Sequence, residues 1–113
     1  MLIYIIHMTN KTEWNKRHGN PADKSNSKAE ISRKSKIPIK ILDEVYDRGV
    51  GAYKTNPQSV RTKAGKKDAS APMSRKMSKE QWAMARVYSF VNKLEGPKAL
   101  NHDKDLAKKI KSR

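Results

Sequence analysis

Apolar residues gather in two stretches of this chain, and both carry a helical period. In the first, KIPIKILDEVYDRG, residues Ile41, Leu42, Val45 and Tyr46 share one face while Asp43, Glu44 and Asp47 take the other. Pro38 fits the first helical turn, where a missing N–H is harmless. Gly49, following Arg48, reads as the residue just past the helix end, with the cation at the negative pole. The second stretch opens at Ser78. Ser78 and Gln81 have capping-box spacing, and Met77 and Trp82 stand at the staple positions. Met84, Val87, Tyr88, Val91 and Leu94 form a stripe that Trp82, Ala85 and Phe90 widen, so this helix is expected to be the central, most buried element. Gly96-Pro97 ends it. Trp82, Val87, Tyr88, Val91 and Leu42 are expected to be buried, with Val45 and Tyr46 packed on the second helix. A short third helix is expected near Asn101–Leu106, capped by Asn101 or Asp103, with Leu106 and Ile110 on one face.

Between and outside these stretches the pattern fades. The opening MLIYIIHM is apolar but too short to span a bilayer and lacks the features of a signal peptide. Two readings compete: residues 1–8 are a strand that docks on a partner, or Met8 is the start and residues 1–7 are annotation excess. Residues 9–36 are rich in Asn, Ser, Lys and Asp, and little there offsets the cost of ordering. They read as an extended arm, with Trp14 either anchoring it to a partner or packing loosely on this protein's own core. The expected organisation is an arm over 1–36, a small helical domain over 37–107 and a basic tail over 108–113. The fold class is all-α, a two- to three-helix core with an extended basic N-terminal arm, a basic loop and a basic tail.

Charge sharpens this picture. The 113 residues hold 26 Lys+Arg against 11 Asp+Glu, a net charge of +15. By segment the balance is +5 over 1–37, zero over 38–56, +5 over 57–77, +1 over 78–96 and +4 over 97–113. The helical stretches are nearly neutral and the connections hold the excess. Such a charge repels itself in a compact chain and calls for a polyanionic or acidic partner. A mean hydropathy of −0.94 leaves room for only a modest core. Cysteine is absent, which removes disulfide and thiol chemistry and fits an intracellular product.

Nothing in the spacing points to catalysis, a cofactor or a small-molecule substrate. His7, His18 and His102 are scattered, and Ser78 and Ser89 have no base near them in sequence. His102, Asp103 and Asp105 suggest a metal cluster, but acids at a helix start are more simply read as favourable charges there. Gly49 and Gly51 have only G-x-G spacing, so a helix-exit turn is favoured over a phosphate loop. The basic linker remains. Arg61, Lys63, Lys66, Lys67, Arg75 and Lys76 stand among small residues and are the candidate contacts to nucleic-acid phosphates or an acidic partner. The exposed face of the second helix offers only Gln81, Arg86 and Asn92 for base readout, a weak signal.

The strings EVYDRGVGAYKTNPQSVR (44–61), APMSRKMSKEQWAMARVYSFVNKLEG (71–96) and NHDKDL (101–106) resemble a small family from tailed phages and large DNA viruses, including viruses of algae. The resemblance covers more than half the chain and leaves 9–36 outside. The similar phage version sits at the ends of larger proteins, which implies a docking or packaging module. No catalytic residue comes with it. The resulting expectation is a non-enzymatic, small basic virion protein. It would be a minor capsid or internal component, located in the virion and inside the host cell during assembly. Its partners would be other capsid proteins and, nonspecifically, packaged DNA. The alternative is a free nonspecific DNA-binding protein acting in the infected cell; a small enzyme or nuclease cofactor ranks third.

Overall fold

The computed structural model describes residues 9–57, 60–62, 70–96, 99–100 and 102–110. Among them the chain forms α1 (Asn10–Arg17), α2 (Lys28–Ser35), α3 (Ile39–Thr55), α4 (Lys79–Glu95) and α5 (Lys104–Ala107), with a 3₁₀ turn at Met73–Arg75. The fold is all-α. The apolar opening, residues 1–8, lies outside the described residues.

α4 starts where its sequence says. Ser78 Oγ accepts from Gln81 N at 3.2 Å, and Gln81 Oε1 accepts from Ser78 N at 2.9 Å. Ala83, Val87, Tyr88, Phe90 and Val91 are buried along it. They meet Ile41, Leu42 and Val45 of α3, which packs on α4. Trp82 and Tyr46 are only half-buried. The largest fully buried side chain is Trp14.

α3 does not end at Gly49. It runs on through Gly51 to Thr55, six residues further. Gly49 is buried against α4, and a Cβ built there would lie 2.8 Å from Ala83 Cα. The missing side chain lets two helix backbones touch rather than letting one helix stop. Gly51, with nothing within 4 Å of its would-be Cβ, costs the helix some stability but does not break it.

Residues 9–36 are not an extended arm. Thr9 Oγ1 caps α1 by accepting from Thr12 N at 3.2 Å. Ser27 and Glu30 form a complete capping box on α2. α1 packs on α4 and α2 on α3. Trp14 is 0% exposed and belongs to the core, as do Ile31 and Ile37, so it is no partner anchor. Polar bonds finish what few apolar residues begin. Trp14 Nε1 donates to Glu95 Oε1 at 3.3 Å, and His18 Nε2 lies 2.7 Å from Glu95 Oε2. Asn92 Nδ2 donates to Asn10 O at 2.8 Å. Deeper in, Asn26 donates through Nδ2 to Asn15 Oδ1 at 2.7 Å and through its backbone N to Tyr88 Oη at 3.2 Å. Asn15 Nδ2 donates in turn to the carbonyls of Ala22 and Lys24. Buried amides need such partners, and the network fixes the α1–α2 turn against α4.

Candidate functional site

Three elements converge on one buried carboxylate. α3 supplies Arg48, α4 supplies Arg86 and Ser89, and the entry to α5 supplies His102, Asp103 and Asp105. Asp103 takes φ 53, a left-handed conformation that Asp tolerates better than most residues, and its side chain is 1% exposed. Although it stands at the N-cap position of α5, its side chain makes no cap bond. It turns to the arginines instead. Arg86 donates from Nε to Asp103 Oδ2 and from Nη2 to Oδ1, both at 2.9 Å. Arg48 Nη1 donates to Asp103 Oδ1 at 3.1 Å. The same guanidinium forks onto Asp105, Nη1 to Oδ1 at 2.8 Å and Nη2 to Oδ2 at 2.6 Å.

Burial by itself pushes the Asp103 carboxyl up. The bonds from His102 and Arg86, the Arg86 charge and the bond from Arg48 outweigh it and hold the group well below the usual carboxylate range. Asp105 is lowered to about 2, chiefly by the Arg48 hydrogen bond. Arg48 is raised in return, first by Asp105 and then by Asp103.

Ser89 does have a base beside it once the chain is folded. Its Oγ lies 3.0 Å from His102 Nε2, and His102 Nδ1 lies 2.8 Å from Asp103 Oδ2. An ionised carboxylate only accepts, so Nδ1 carries a proton, and in the neutral imidazole Nε2 accepts from the Ser89 hydroxyl. Hydroxyl, imidazole and carboxylate thus stand in relay order. In an acyl-transfer relay the carboxylate stabilises the imidazolium as it forms. Here two guanidiniums already share the Asp103 charge. Ser89 also lies inside α4, whose backbone N–H groups are bonded along the helix, so the backbone there supplies no oxyanion donors. What the geometry does is tie the 102–110 segment to the middle of α4. Among the described residues no group of His, Asp and Glu is arranged to hold a metal ion.

The basic linker is reached from a fixed base. Thr62 pairs with Lys76 in an antiparallel bridge, and Met77 N donates to Arg61 O at 2.9 Å. Val60 is buried at the root. The two ends of the linker are therefore held side by side at the start of α4. The structure separates the candidate cations. Arg75 is exposed and Arg61 is half-buried. Lys76 is 3% exposed, with Nζ 3.4 Å from Pro57 O, which withdraws it from the phosphate-contact set because its ammonium serves the base of the loop. Lys63, Lys66 and Lys67 lie outside the described residues.

Sequence reading passed over Arg48, Arg86 and Asp103 as a unit. Arg48 and Asp103, 55 residues apart, each stand in a motif segment, RG and HDKD, but their local readings, a cation at a helix end and a helix cap, gave no sign of the pairing.

A small, basic, all-α protein with its C-terminal segment clasped by two arginines is the class these features define. The chain belongs to the family of unknown function DUF5824, whose model matches residues 6–111. That match takes in residues 9–36, in keeping with their place in the core. No curated protein and no solved structure matches the chain.

Proposed function

We propose that this chain is a non-enzymatic basic structural protein of a virion, a minor capsid or internal component. It would contact the packaged genome or acidic neighbours through phosphate- or carboxylate-binding cations. The observation that carries the reading is how charge is distributed in the fold. Among the described residues, seven acids are held in intramolecular ion pairs: Glu13, Glu30, Asp43, Glu44, Glu95, Asp103 and Asp105. Meanwhile Arg33, Lys36, Lys40, Lys54, Arg75 and Lys104 are exposed. The fold ties up most of the described acids in ion pairs with its own cations and leaves other cations at the surface, the arrangement that favours nonspecific phosphate contacts. Viral origin rests on the resemblance of the motif strings.

The free DNA-binding alternative draws support from one observation. Residues 9–36 use their contacts on this protein's own core, where an assembly arm would keep them for neighbours. Two measurements separate the readings. Mass spectrometry of purified virions finds the protein at fixed copy number if it is structural and not at all if it acts free. Neutralising Lys63, Lys66, Lys67 and Arg75 together weakens duplex DNA binding equally for all sequences. It also flattens the salt dependence by about 0.9 per lost phosphate contact. An unchanged slope puts the contacts elsewhere on the chain.

A further inference from the structure

Arg48 has an inner and an outer partner. The inner one is Asp103, whose side chain is 1% exposed. The outer one is Asp105, and there the arginine side chain is 40% exposed and the aspartate side chain 62%. The outer fork, at 2.8 and 2.6 Å, presents two N–H donors to two oxygens of one group. A guanidinium grips a phosphate in the same way.

Asp105 is not what holds α5 in place. Leu106 beside it is fully buried, and Asp103 is gripped independently by Arg86. Cations flank it along the chain: Lys104 precedes it and Lys108 and Lys109 follow at one turn, all three exposed. Lys109 reaches Glu44 at 3.6 Å, across to α3. Asp105 is thus a carboxylate flanked along the chain by cations and placed on a fork that faces solvent.

We propose that Arg48 is a phosphate-binding residue and that Asp105 is an internal phosphate mimic that holds it in reserve. A polyanion that reaches this corner displaces Asp105 from the fork, while Asp103 keeps Arg48 aimed. The pair is well exposed, so solvent and salt screen it, and a phosphate brings more charge and more acceptor oxygens than the carboxylate it replaces. The proposal rests on the reading that the chain binds polyanions, and it names a residue and a regulation for that binding.

The test uses the full chain in four forms: the native sequence, Asp105→Asn, Asp105→Asn with Arg48→Gln, and Asp47→Asn. Asp47 is an exposed acid on α3 outside the cluster, so the last form makes the same charge change elsewhere. The probes are a mixed-sequence DNA duplex of about 20 base pairs, long enough for several phosphate contacts, and inorganic tripolyphosphate. Asp105→Asn is expected to bind both probes more tightly than Asp47→Asn. For the duplex, its advantage should grow about 3.5-fold between about 200 and about 50 mM salt, as one added phosphate contact requires. Adding Arg48→Gln should abolish the gain. If no form binds duplex while tripolyphosphate shows the Arg48-dependent gain, the nucleic-acid reading fails and the Arg48 site stands. Equal binding by Asp105→Asn and Asp47→Asn, or a gain that survives loss of Arg48, overturns the proposal and leaves polyanion binding intact. Loss of helical circular dichroism in Asp105→Asn also overturns it, because Asp105 would then be structural.

Discussion

Gly49 and Gly51 look alike in sequence and do opposite things. Both lie inside α3. Gly49→Ala places a methyl 2.8 Å from a backbone atom of Ala83, and a helix backbone does not give way as a side-chain end does. The substitution is expected to cost about 1–3 kcal/mol, outweighing the gain of about 1 kcal/mol from better helix propensity. Gly51→Ala meets nothing and is expected to stabilise by up to about 1 kcal/mol. Chemical denaturation of the two variants checks the opposed signs. Asp103 is the other residue on which much turns. Its carboxyl is lower in the folded chain than the ordinary value of about 3.9, so the stability it gives is fully present above about pH 4 and is lost as pH falls below that. The melting temperature should hold from neutrality to about pH 4.5 and then drop. Asp103→Asn leaves Arg86 half-buried without its counter-charge and should cost about 3 kcal/mol at neutral pH. The same substitution should flatten the acid limb of the melting curve.

At the scale of elements, the two tryptophans sit at different depths, although both their helices contribute to the core. Trp14 on α1 is 0% exposed, whereas Trp82 on α4 is half-buried. Trp14→Ala is expected to cost ~3–5 kcal/mol, enough to unfold most of a small domain. Trp82→Ala removes less buried surface and should cost about half as much. Deleting residues 1–36 removes Trp14, Ile31 and the Asn15–Asn26 network at once, so α3 and α4 should not survive it as a folded pair. Far-UV circular dichroism of the truncated chain reads this directly; a cooperative melt would sink the placement of α1 and α2 in the core. The N-terminal helices were harder to see than α4 for a physical reason. Their apolar content is thin, and they are held by Asn, His and Arg side chains whose partners lie up to 82 residues away. Their starts were nonetheless written locally, as Thr9 before α1 and as the Ser27–Glu30 box before α2.

At the scale of the whole molecule, the excess of positive charge acquires a direction. Local sequence shows the excess, and the fold adds that most of the described acids are engaged in ion pairs with the chain's own cations. One consequence is salt dependence of stability. With cations turned outward and repelling one another, the melting temperature at neutral pH should rise from about 10 mM to about 150 mM salt as screening lengths fall from about 30 to about 8 Å. A fall over that range would mean that the internal ion pairs contribute more than the surface repulsion removes.

The helical class, the start of α4, the buried face of α3 and the basic linker were fixed by features a few residues apart: a capping box, a period, a run of lysines. Those signals are local, so they are legible in one dimension. The end of α3, the role of Trp14 and the Arg48–Arg86–Asp103 clasp were decided only in three dimensions. Gly49 reads as a stop until Ala83 lies against it. Ser89 has no base until His102 folds back onto α4. A polar segment looks unable to order itself until Glu95, Asn92 and Tyr88 arrive to satisfy it. In each case the deciding partner is distant in sequence, and a residue's own chemistry does not say which of many compatible partners the packing will bring to it.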